Sequence, residues 1–311
     1  MRFLALAASL GMAGAAHADV PVVATDIAPV HSLVARVMEG VGSPALIVRP
    51  GASPHGYVLR PSEAGALEAA DLVVMMGGAL TPGLVTAAQT LTPGATTIYL
   101  LESPGIVLLD SRDEAAFTLE TTGDGHNHDH DHDHDHDHDH AEGGLDPHAW
   151  LDPSNAVIWL EQIAQALAVL DTGNAAAYVA NAADGQAELV ALSAELDGAL
   201  VPARAGNFVV FHDAYQYFET RFGIPVSGAI SLSDASDPSA ARIAAMRDLA
   251  QAEAITCALA EPQFNPGLVA TIFDGTATRT GVIDPLGADI PPGPDFYPDL
   301  IRAMAETFIT C

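Results

Sequence analysis

Lysine is absent from this 311-residue chain, and its 11 basic residues are all arginines, scattered singly among 40 aspartates and glutamates. A formal net charge of -29 without a clustered basic face excludes nucleic acids as partners and makes cations the natural ligands. Long apolar runs are missing too: beyond residue 18 none approaches the roughly 20 residues that a membrane-spanning helix needs. Cysteine is scarce. Only Cys257 and Cys311 are present, and no CxxC spacing marks a structural zinc site. The chain also has no H-E-x-x-H, so that metalloprotease signature is missing.

The first 18 residues read as a removable export signal. Arg2 gives a positive start, Phe3 to Ala15 an apolar stretch and Ala16-His17-Ala18 a small-x-small cleavage site, so the mature chain is expected to begin at Asp19. The signal holds no cysteine for lipid attachment, which predicts a free periplasmic protein with no membrane anchor. In that oxidising compartment Cys257 and Cys311 are expected to pair; two buried or zinc-bound thiols are the alternative.

About 290 mature residues exceed one comfortable core, so two domains are expected. Short β-branched runs alternate with alanine- and leucine-rich stretches, the pattern of an α/β fold. We expect two lobes, each with a mostly parallel β-sheet flanked by helices. The first lobe would use strands at Val20 to Ala24, Ala45 to Val48, Leu72 to Met76 and Thr96 to Leu100, and the second Phe208 to Phe211, Ile255 to Leu259 and Gly281 to Ile283. Helices are expected at Pro29 to Met38, Ser62 to Ala70 and Ile243 to Ala252. Between the lobes, Tyr178, Ala182, Gly185, Leu189, Leu192, Leu196 and Ala199 recur at alternating spacings of four and three, predicting one long rigid interlobe helix with Asn174 as its cap. The expected organisation is therefore signal 1–18, N-terminal lobe 19–173, linking helix 174–200 and C-terminal lobe 201–311.

Residues 124–140 read DGHNHDHDHDHDHDHDH. With nothing apolar to bury, this stretch is expected to be a disordered loop. Its imidazoles, His126, His128, His130, His132, His134, His136, His138 and His140, alternate with carboxylates and suit weak secondary binding of zinc, copper or nickel.

Outside the signal and this loop four histidines remain. His31 falls within an expected helix and reads as a packed residue. His55, His148 and His212 each sit in a turn-like segment after or near a strand or loop, where open α/β sheets present ligands. The segments ASPHGYVLRPSE, DPHAWLDP, FHDAYQYFE, AEPQF and IDPLG follow one another in the order found in the zinc-specific substrate-binding proteins of ABC-type metal importers, and the chain resembles that family over nearly its whole mature length.

The resemblance implies a high-affinity periplasmic receptor, not an enzyme, that delivers Zn2+ to an importer permease and its ATPase; nothing in the sequence indicates a homo-oligomer, so a monomer is expected. It implies His55, His148 and His212 as metal ligands and a disulfide between Cys257 and Cys311. Some members place a glutamate before the first histidine; here Pro54 stands there, so the fourth position is expected at Asp284 of IDPLG, with water as its competitor. Manganese-binding relatives use a carboxylate where His212 stands, and three imidazoles favour zinc over that harder ion. A periplasmic zinc buffer is the alternative function, and a zinc hydrolase with an open position on the metal a more distant one.

Overall fold

The structure, a computed structural model, describes residues 20–112, 116–117, 144–231, 238–252, 254–264 and 266–311. The proposed signal and the histidine-rich stretch 124–140 lie outside these residues.

Two four-stranded parallel sheets form the frame. The first is built from β1 (Val23–Thr25), β2 (Ala45–Leu46), β3 (Leu72–Met75) and β4 (Thr96–Tyr99), in the order β2-β1-β3-β4. The second uses β5 (Phe208–His212), β6 (Val226–Ser231), β7 (Cys257–Ala260) and β8 (Arg279–Val282), in the equivalent order β6-β5-β7-β8. Strand β6 escapes sequence reading because Pro225 precedes it and Ser227 and Gly228 interrupt its apolar run, although all six of its residues are buried.

Helices α1 (Ala28–Val37), α2 (Pro61–Glu68) and α3 (Pro82–Leu91) belong to the first lobe. α4 (Pro153–Leu170) then pairs with α5 (Ala175–Ala199), the expected linking helix, which also packs on α1. The stripe Tyr178, Ala182, Gly185, Leu189, Leu192 and Leu196 is buried as its spacing predicts, while Ala199 is exposed and Leu200 takes its place. Gly185 is explained by close approach, since a Cβ there would lie 3.1 Å from both Arg36 Cγ and Leu160 Cδ1. Asn174 occupies the N-cap position, but its amide turns back to Asp171 Oδ2 at 2.7 Å instead of capping the helix.

In the second lobe are α6 (Gln216–Phe222), α7 (Ala240–Ala252), α8 (Pro266–Ile272) and α9 (Phe296–Thr310). α9 is a second brace. At its start the Tyr297 amide donates to Ser32 Oγ of α1 and the Tyr297 hydroxyl to the Trp150 carbonyl, at 2.9 and 2.7 Å. At its end Phe308 packs edge-on against Phe208, and Cys311 is disulfide-bonded to Cys257 with Cα atoms 5.7 Å apart. The two lobes are thus tied along α5 and along α9, and one hydrophobic core runs through both.

Strand β5 shows how the frame aims side chains. Phe208 and Val210 enter this shared core, whereas Val209 and Phe211 enter a separate cluster on the sheet's other face. Period-two alternation puts His212 on the side of Phe208 and Val210, toward the first lobe.

Candidate metal centre

His212 ends β5, and Glu261 directly follows β7. Since β5 and β7 are neighbours while the chain between them crosses to β6, both residues stand at the carboxyl-end switch point of the sheet, where α/β folds bind ligands. Glu261 Oε1 lies 2.7 Å from His212 Nδ1, and Gln263 Nε2 donates to Glu261 Oε2 at 2.7 Å. The carboxylate fixes the ring so that Nε2 points away from it.

His148 arrives from a different construction. Residues 109–111 pair with 144–146, through the Asp110 and Leu145 bridge and the Ser111 amide on the Gly144 carbonyl. The Asp146-Pro147-His148 turn follows, in which Asp146 Oδ1 accepts the His148 backbone amide at 2.9 Å and faces His148 Nδ1 at 2.7 Å. Burial pushes the Asp146 carboxyl up to about 7, against the opposing pull of that amide and of the Arg112 charge. His148 Nε2 then meets His212 Nε2 at 3.3 Å, with both residues buried.

His55 stands on the loop between β2 and α2 and is half-buried. The loop's ends are joined by Arg49, whose Nε lies 3.1 Å from the Tyr57 hydroxyl, and by Glu63, which accepts that hydroxyl at 2.8 Å and the Arg60 amide at 2.8 Å. Gly51 makes the turn in the left-handed region, with φ of 74°. The His55 ring lies 5.5 Å from that of His148 and 6.5 Å from that of His212. One nitrogen from each of His55, His148 and His212 falls within 4.8 Å of the other two, a spacing that lets them hold one metal ion.

Asp284 does not join this group. Its Oδ1 accepts the Leu286 amide at 2.9 Å and its Oδ2 the Ala288 amide at 2.6 Å, so both oxygens are engaged within the Asp-Pro turn. It lines the neighbouring cleft, between Gly51 on one side and Gln263 on the other. His31 lies on α1 away from the group, and burial lowers its pKa. The eight histidines of 124–140 lie outside the described residues. Sequence reading offers Glu261 only as the nearest general-base candidate, with capping or packing of the second lobe as its alternative, and does not single out Asp146. The signal for Asp146 was an Asp-Pro turn directly before a histidine; for Glu261 it was visible only once β5 and β7 were known to be neighbours.

Two parallel-sheet lobes that bring histidines together at their seam define a metal-binding receptor of the substrate-binding-protein class. The family described as ZnuA, zinc-uptake complex component A, periplasmic, matches residues 22–311, and the chain belongs to it. It is 43% identical over 319 residues to the high-affinity zinc uptake system protein ZnuA of Paracoccus denitrificans, covering 99% of this chain and 97% of that protein. The protein of the same name from Brucella abortus is also 43% identical, over 324 residues, with 99% of this chain and 97% of that protein covered. A crystal structure of ZnuA shares the fold with a TM-score of 0.76 at 23% identity, covering 94% of this chain and 99% of that one. A zinc-bound 138-173 deletion mutant of ZnuA does so with a TM-score of 0.74 at 23% identity, covering 94% and 97%. No described helix is long and apolar enough to cross a membrane.

Proposed function

We propose that this chain is the periplasmic zinc receptor of an ABC-type importer, taking up one Zn2+ as cargo at the seam of its lobes and presenting it to a membrane permease driven by an ATPase. The observation that carries this reading is the convergence of His55, His148 and His212 within 4.8 Å. Two of the three rings are held at Nδ1 by a carboxylate, so Nε2 of His148 and of His212 is the metal-facing atom, an arrangement that fixes tautomer and raises ligand basicity. A set of imidazole nitrogens suits zinc. The near-full-length relatives, both named as zinc uptake proteins, support the same cargo. Because Asp284 is engaged with backbone amides, solvent takes the fourth position in this reading.

A hydrolase would need a general base at the metal's open position. Glu261, the carboxylate nearest to that description, stands behind His212 on Nδ1 and supports the ligand instead. The stretch 124–140 collects zinc at weaker sites in this reading, and the receptor works as a monomer.

Calorimetric zinc titration of the mature chain lacking residues 124–140 tests this, beside the same chain carrying His55→Ala, His148→Ala and His212→Ala. One tight equivalent that the triple change abolishes is expected. Tight binding that survives the change would refute the site, and loss of all binding on deleting 124–140 would favour the buffer.

A further inference from the structure

Behind the two buried histidines lies a charge cluster that ligand geometry alone does not require. Arg112 follows the 109–111 segment that pairs with 144–146 and so belongs to the piece of chain presenting His148. Its guanidinium crosses the seam. Nε lies 3.1 Å from Asp213 Oδ1 and 2.9 Å from Asp213 Oδ2, and Nη2 also bonds Oδ1. The other edge of the fork reaches Glu219 of α6, with Nη1 to Oε2 at 2.8 Å and Nη2 to Oε1 at 3.0 Å. Both carboxylates are buried, and the guanidinium carbon sits 3.7 Å from the centre of the Phe117 ring.

The partners matter because of their neighbours. Asp213 directly follows His212, and Glu219 lies on the same short helix as Tyr217. The Tyr217 hydroxyl accepts the Leu109 amide at 3.0 Å and donates to the Asp146 carbonyl at 2.9 Å, so α6 is tied to the His148 segment at two points. Phe117, five residues past Arg112, donates its amide to the Ser227 carbonyl of β6 at 2.7 Å and continues the same attachment.

We propose that Arg112 is a positioning residue for metal capture, a latch that holds the His212 segment of the second lobe against the His148 segment of the first so that their Nε2 atoms meet. Its planar fork satisfies two carboxylates at once, which a lysine ammonium cannot do with the same geometry. Without it the bonds that join Asp213 and Glu219 to the His148 segment are lost, and the seam loosens at the point where the two rings must stay close.

This inference rests on the reading of His148 and His212 as ligands, so the test, run throughout on the chain lacking residues 124–140, first establishes that His148→Ala abolishes its Co2+ ligand-field spectrum. A spectrum that survives would fault the ligand assignment and leave the latch without a site to serve. Arg112→Met is then expected to raise the zinc release rate into a chelator about tenfold or more and to shift that spectrum, with Arg112→Lys recovering part of both. To separate positioning from simple charge balance, Arg112→Met is combined with Asp213→Asn and Glu219→Gln, which removes the anions along with the cation. The latch predicts that this triple variant unfolds thermally like the parent yet still releases zinc fast. A release rate within about twofold of the parent, in the single or in the triple variant, overturns the proposal.

Discussion

The two lobes repeat one strand order yet use its switch point differently. In the second lobe the point between β5 and β7 holds His212 at the end of one strand and Glu261 just past the other, and the pair faces the seam. In the first lobe the equivalent point between β1 and β3 holds Asp26 and Met76. There Asp26 is fully buried and spends its oxygens on backbone, accepting the Ile27 amide at 2.8 Å and the Met76 amide at 2.7 Å. The same topological position therefore presents a histidine to the three-imidazole group in one lobe and only closes the turn in the other. The first lobe supplies His55 from a loop after β2 and leaves His148 to the segment before α4. A shared frame fixes where a ligand could be presented; the side chain at that place decides whether one is.

The largest effect that would sharpen this contrast comes from His212→Ala. Structural zinc sites bind with roughly 10 to 16 kcal/mol, and on that scale losing one of three nitrogens should cost at least about 3 kcal/mol, more than a hundredfold in affinity. Calorimetry on the chain without residues 124–140 measures it. Retention of the tight equivalent would mean the second lobe's switch point is as structural as the first's.

Glu261→Gln should come next, weakening zinc about 10- to 100-fold, because it removes the charge that orients His212 and leaves the imidazole itself in place. Competition with a chelator of known affinity reads this change. An unaltered affinity would show that strand geometry alone holds the ring.

Much of this was legible before any coordinates. The stripe on α5 and seven of the eight strands among the described residues follow from spacing, and the three histidines from the motifs that carry the family resemblance. What escaped needed long-range information: β6, whose run is interrupted by Ser227 and Gly228 and reads as strand only beside β5, and the pairing of His212 with Glu261, 49 residues apart. Asp284, expected at the metal, has both oxygens on backbone amides. Asp146-Pro147, Asp152-Pro153 and Asp284-Pro285 all place the aspartate Oδ1 on the amide two residues on, at 2.9, 2.8 and 2.9 Å. Asp-Pro is a turn signal first, and only at Asp146 does the turn bring a carboxylate oxygen onto a ligand's ring.

A smaller effect in the rim loop separates His55 from the other two histidines. Tyr57→Phe removes the hydroxyl that bridges Arg49 and Glu63, and we expect a loss of only a few fold in zinc affinity, because the Arg49 and Glu63 pair still joins the ends of the loop directly. The loss should appear as faster release in stopped-flow chelation. A loss as large as that of His212→Ala would show that the loop, not the buried pair, holds the metal.

The smallest effect on zinc, and the sharpest test of the comparison, is expected from Asp26→Asn. Affinity should stay within about twofold of the parent, since nothing at the first lobe's switch point touches the metal group. Stability should respond instead. Burial raises the Asp26 carboxyl from 3.8 to about 7, so between those values the folded chain holds a proton that the unfolded chain has released. This contribution is fully present below about pH 4 and is lost as pH rises through about 7, because ionising the carboxyl costs more inside the lobe than in water. Asparagine cannot titrate. The stability advantage of the metal-free parent over the variant, read from urea unfolding, should therefore shrink between pH 5 and pH 8. An advantage that grows with pH would mean that the two amides hold Asp26 ionised in the fold and that this switch point is an anion site after all.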